Sequence, residues 1–265
     1  MTNIPSVERR PHKLRLDIRW LSSEHEVLRK IAGNRQSLSN TIHFALDAAF
    51  PYPEHAFGQD ILVGININRE RLGLPLDRQP GDIDYLIVPI RNGSMLADRS
   101  IAIEAKVLRP TISNPGRNVN KMGGTQVRGL IRDGFPFVGL LHISVPESLP
   151  VELHWGVKEL TGRILADGAL EEKREVRKID LFPLLSARRQ YGRVSAIGLP
   201  DEIGYSVIGF SLSLDGQQFI GNTIGDNRRP TRNPATSERL IESINSLVKT
   251  EPSMFSLVEW YPSNG

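Results

Sequence analysis

Asp84, Glu104 and Lys106 are residues whose types and spacing could do chemistry together. Asp82–Ile90 and Ser100–Leu108 both read as strands, because β-branched and apolar residues dominate them. Period-2 alternation puts Asp82, Asp84, Leu86 and Val88 on one face of the first strand. Glu104 and Lys106 share a face of the second. The short link Arg91–Arg99, with its Asn92-Gly93 turn signal, makes the two strands a hairpin. Asp84 would then lie beside Glu104.

Two carboxylates among apolar strands repel each other and need a cation or several hydrogen-bond donors. Mg²⁺, with Mn²⁺ as a substitute, is a hard cation that would meet that need. It could polarise a phosphate and activate water, while Lys106 stabilised charge developing on phosphorus. The expectation is phosphodiester hydrolysis, with Asp84 and Glu104 on the metal and Asp82 as a second-choice ligand. The bland alternative is ordinary ion pairing at strand ends.

The elements that must position these residues surround them in the sequence. Ser22 or Ser23 caps a first helix carrying Val27, Leu28 and Ile31, with Glu26 closing a capping box if Ser23 is the cap. It stops near Gly33. A second helix is expected over Ser39–Phe50, ended by Pro51 and Pro53. Lys13–Trp20 alternates like a short strand, and Ile61–Ile67 is apolar but of undecided type. After Lys106 come an Asn- and Gly-rich loop, a helix over Thr125–Asp133 and a third apolar strand over Phe135–Val145. Strand, strand, helix, strand is a mixed α/β order with a crossover onto the same sheet. Farther on, Leu170–Ile179 reads as a charged helix, while Arg193–Leu199 and Tyr205–Leu214 read as strands. Asp215-Gly216 turns the latter back into Gln217–Ile220. Ser237 or Thr236 caps a last helix ended by Pro252.

Asp84, Glu104-Ala105-Lys106 and the helix and strand that follow resemble the core of the PD-(D/E)xK nuclease superfamily over about residues 81–145. The resemblance implies a restriction-endonuclease-like mixed β-sheet core flanked by helices, with additional C-terminal strands and a helix. It also implies a metal-binding Asp84 and Glu104 and a catalytic Lys106. Gln126 stands where some members carry an ordering glutamine. Many members add a glutamate from an early helix, and Glu24, Glu26 and Glu54 are the candidates. The expected activity is divalent-metal-dependent cleavage of DNA, endonucleolytic rather than exonucleolytic, in restriction, repair or defence. RNA stays open as a substrate. The alternative is a catalytically inactive module of the same fold that binds nucleic acid or a partner protein.

Charge supports a polyanionic ligand. The chain carries a net +3, yet Glu104–Arg132 alone holds six basic residues against Glu104, a net +5. Arg117, Lys121 and Arg128 are candidate phosphate contacts, and Arg228, Arg229 and Arg232 form a second basic cluster. A homodimer would suit a duplex with two strands. His142 and His154 read as hydrogen-bonded core residues, and Trp155, Trp260 and Tyr261 as packing anchors, with base stacking the alternative for an exposed one. Gly123-Gly124 lacks the Lys-Ser/Thr of a phosphate loop, and Ser195 and Ser206 lack a nucleophile elbow.

Composition narrows the classes. The chain has 265 residues, 39% hydrophobic and 24% charged, which excludes the usual disordered profile. The absence of Cys excludes disulfides and Cys-ligated zinc or iron–sulfur sites. No apolar run reaches membrane-spanning length, and Met1–Arg10 does not resemble a secretion signal, so a cytoplasmic protein is expected. One elaborated domain over 1–265 is expected, with its core at 40–150. Residues 151–265 are left as a core extension or a recognition region.

Overall fold

The computed structural model describes residues 8–9, 23–50, 60–76, 81–118, 120–164, 169–212 and 219–259. The expected strand at Lys13–Trp20, Glu54, the Asp215-Gly216 turn, Trp260 and Tyr261 lie outside them.

A large mixed sheet dominates. Its strands are β1 (Glu8–Arg9), β2 (Ile61–Ile67), β3 (Ile83–Arg91), β4 (Ser94–Met95), β5 (Ile101–Leu108), β6 (Phe137–Ser144), β9 (Ile203–Leu212), β10 (Phe219–Arg228) and β11 (Phe255–Val258). The order is β1-β11-β2-β3-β5-β6-β9-β10, with β4 paired to β3. The strands β5, β6 and β9 run parallel, whereas β2, β3 and β5 pair antiparallel. Between them in sequence, β7 (Trp155–Ile164) and β8 (Leu170–Ile179) form a separate two-stranded ribbon.

Helices cover both faces of the sheet. On one side α1 (Glu24–Ala32) and α2 (Arg35–Ala49) pack Val27, Leu28, Ile31 and Ile42 against Tyr85, Ile103, Ala105 and Leu141. On the other side lie α3 (Gly124–Asp133), α4 (Phe182–Ser195) and α5 (Glu238–Thr250). These bury Val127, Leu130, Ala187, Val194 and Ile244 with Leu86, Ala102, Leu140 and Val207. Each fully buried Ile or Leu contributes about 1.5–3 kcal/mol of transfer free energy.

Local chemistry explains several boundaries. Ser23 and Glu26 form the capping box of α1. Asn34 caps α2 through the Ser37 amide, so that helix starts before Ser39. Asn92 and Gly93 both take positive φ, which the two-residue turn between β3 and β4 needs.

Three expectations fail. Leu170–Ile179 is a strand, held in a ten-pair register with β7. Arg193–Leu199 is the end of α4 and the turn after it. Trp155 is 64% exposed on the ribbon, so it is not a packing anchor. Among the described residues no helix is long and apolar enough to cross a membrane.

Candidate functional site

The site lies where β3 and β5 part. Their pairing covers Tyr85↔Ile103, Leu86↔Ala102 and Ile87↔Ile101 and goes no farther toward Leu108. Beyond that point the β5 amides of Ala105 and Val107 have no β3 partner. A buried amide left unpaired is costly. Two carboxylates meet the need: Asp84 Oδ2 accepts the Ala105 N–H at 2.7 Å, and Glu24 Oε2 accepts the Val107 N–H at 2.8 Å.

Glu24 reaches β5 because α1 is fixed from its middle. The buried Tyr85 hydroxyl donates to the Leu28 carbonyl at 2.6 Å, and Leu28 and Ile31 are fully buried. That anchoring holds the first residue of α1 against the end of β5. Of the candidate glutamates among the described residues, Glu24 is the one that joins the cluster. Glu26 serves the capping box.

Lys106 closes the cluster. Its Nζ lies 2.7 Å from Glu104 Oε1 and 3.4 Å from Glu24 Oε1. Glu104 is only 4% exposed. Burial, and then the neighbouring Glu104, pushes the Asp84 carboxyl up to about 8. Burial also raises Glu104, against the opposing pull of Lys106. Lys106 is raised as well: burial draws it down, but the charges of Glu104, Glu24 and Asp84 outweigh that.

Asp84, Glu104 and Lys106 thus converge as alternation and the hairpin imply. The metal reading does not follow. Among the described residues no group of three or more His, Cys, Asp or Glu could hold a metal ion. This corrects the expectation of a Mg²⁺- or Mn²⁺-dependent nuclease, and with it the assignment of Asp84, Glu104 and Asp82 as metal ligands. The donor set gives a physical reason. Asp84 and Glu24 each spend an oxygen on a β5 amide, and Glu104 is paired with Lys106. The Lys106 ammonium is the counter-charge that a divalent cation would otherwise supply. Asp82 precedes β3 and is exposed. Gln126 is half-buried on α3, and its side chain makes no hydrogen bond among the described residues.

A loop packs over the cluster at Gly123, whose φ of +72° suits glycine. A methyl there would stand 2.7 Å from Leu140 Cδ1 and 3.6 Å from the Cγ atoms of Glu104 and Lys106. His142 holds this loop. Burial lowers its pKa to about 4, so the ring is neutral. Its Nε2–H donates to the Met122 carbonyl at 3.1 Å, which leaves Nδ1 to accept from Gln190 Nε2 at 2.9 Å. Gln190 also donates to Asn118 Oδ1 at 2.8 Å. The core reading of His142 therefore stands. Nothing in the local sequence of Gln190 marks it as buried, although it is 2% exposed.

The candidate phosphate contacts divide. Arg117 and Arg128 are exposed, and Arg128 lies 3.4 Å from the Gly124 and Gly198 carbonyls. The Lys121 side chain falls outside the described residues. Arg228 is committed to the fold: Nη2 donates to Leu199, Pro200 and Ile203 carbonyls at 3.0, 2.7 and 2.7 Å, and the guanidinium lies over Tyr205. Arg229 pairs with Asp47 at 2.7 Å, and Arg232 donates to the Asp98 carbonyl at 2.7 Å.

No protein-family model matches the chain, and no curated protein or solved structure matches it.

Proposed function

We propose that this chain is a restriction-endonuclease-like module that binds nucleic acid without cutting it. One observation carries the reading: the carboxylate cluster is closed around Lys106 while basic side chains beside it face solvent. The order β3, β5, α3, β6, with the acids on one sheet face, supports the fold assignment. Acids used as amide acceptors and ion-pair partners stabilise the parting of two strands and need no reacting group. The net +5 of Glu104–Arg132 supports a polyanionic partner over a neutral one. Such binding positions the protein on a phosphate backbone and weakens steeply with salt.

The test uses labelled duplex DNA and single-stranded RNA, with Mg²⁺ or Mn²⁺ present. The expected result is salt-sensitive binding of at least one polymer, with no cleavage above a protein-free control. Metal-dependent cleavage lost in Lys106→Ala would overturn the reading. So would the absence of binding to either polymer at low salt.

A further inference from the structure

Two acid-free segments meet beside the cluster. Ala105–Arg132 contains six basic residues and no acid, and Phe182–Pro200 contains Arg188, Arg189 and Arg193 and no acid. They come together at Gly116. Arg193 Nη1 donates to the Gly116 carbonyl at 3.0 Å. A methyl at Gly116 would stand 3.6 Å from Arg193 Nη2 and 3.9 Å from Arg189 Nη1. These are ordinary contact distances, so both guanidinium groups lie directly against the loop. The next residue, Arg117, is exposed, as is Arg189.

Arg109, just beyond β5, belongs to the same group. Burial, and then the positive charge of Arg117, draws its guanidinium below its ordinary value. Glu24 is the acid whose field reaches it. Gathered like charges repel, and the fold holds them together nonetheless. The loop is braced from beneath, since Gln190 ties Asn118 to His142. A pre-positioned set of guanidinium groups loses little freedom when it binds.

We propose that Arg109, Arg117, Arg189 and Arg193 form a cradle for the phosphodiester backbone of nucleic acid. The inference rests on the nucleic-acid reading above and deepens it by naming the surface and the group it grips. Guanidinium forks match phosphate oxygens two bonds at a time. Four of them contributed by a strand end, a loop and a helix suit a polymer with closely repeated charges better than one isolated anion. Contacts of this kind set position without reading sequence.

The experiment measures duplex DNA affinity against salt concentration by fluorescence anisotropy. Arg117→Gln and Arg189→Gln are suitable variants, because neither side chain makes a hydrogen bond or ion pair among the described residues. The exposed Arg239 on α5 supplies a charge-matched control. The double variant should lower the slope of log K against log salt by about 1.8, at about 0.9 per lost phosphate contact. Affinity should fall about tenfold or more at moderate salt, following the same loss of contacts. Arg239→Gln should change neither quantity.

A double variant that binds like the wild type would overturn the cradle and leave the binding reading intact. A wild-type protein with no salt-dependent DNA binding would remove that reading and the cradle with it. Unlabelled polyglutamate competing as well as duplex DNA at equal charge would identify an acidic protein partner and overturn the phosphodiester assignment.

Discussion

Replacing Lys106 with Met tests whether its ammonium neutralises the cluster. The Met side chain keeps most of the aliphatic length and removes the charge. Glu104 is then left almost fully buried, with Asp84 and Glu24 nearby and no ammonium at 2.7 Å. Removing one partner of a buried ion pair costs about 3–5 kcal/mol. The Lys106 side chain is 17% exposed, so water relieves part of the penalty and the low end, about 3 kcal/mol, applies. The cost should grow with pH, because the orphaned acids can escape it only by holding protons. Glu104→Gln in the Lys106→Met background should recover stability, giving a coupling energy of about 1–3 kcal/mol. Urea denaturation at pH 6 and pH 8, followed by circular dichroism, measures these quantities. A Lys106→Met protein within about 0.5 kcal/mol of wild type at pH 8, with no coupling to Glu104→Gln, would refute the reasoning; that is the range of unremarkable surface substitutions.

Asp84 predicts a pH dependence of its own. Its carboxyl is raised from 3.8 to about 8, so between those values the folded chain holds a proton that the unfolded chain releases. Its contribution to stability is full below the lower value and is lost as pH rises through the upper one. The limiting slope is about 1.4 kcal/mol per pH unit for one proton. Asp84→Asn keeps an oxygen for the Ala105 amide and should flatten the curve; denaturant midpoints from pH 5 to 9 test this. Arg69 offers a separate check. It is 2% exposed and grips Asp133 at the end of α3 with bonds of 2.6 and 3.0 Å. Arg69→Met should cost about 3–5 kcal/mol by leaving Asp133 without its cation. A thermal melt unchanged from wild type would count against that.

The shared face of Asp84, Glu104 and Lys106 was legible because a strand alternates with period 2, and β3 and β5 do pair as a hairpin. The capping box was legible because it is local. How each oxygen is used was not. The choice of Glu24 depends on where α1 is anchored by Tyr85, and the exposed β5 amides depend on where two strands part. Both are tertiary facts. The residue types alone suited a metal equally well, and only the bonds to Ala105, Val107 and Lys106 distinguish the two arrangements. Leu170–Ile179 lacks the alternation that marks a strand because the ribbon exposes its described side chains on both faces. Val176 is 67% exposed there and no apolar alternation is required. Val194 and Leu199, read as part of a strand, bury instead at the end of α4 and in the turn after it.

Titrating Mn²⁺ into the protein, with free Mn²⁺ followed by electron paramagnetic resonance, probes the closed cluster without relying on any activity. An ammonium already seated among these acids predicts that the free signal rises as it does in buffer, for wild type and Asp84→Asn alike. A stoichiometric loss of free Mn²⁺ in the wild type, abolished by Asp84→Asn, would contradict it.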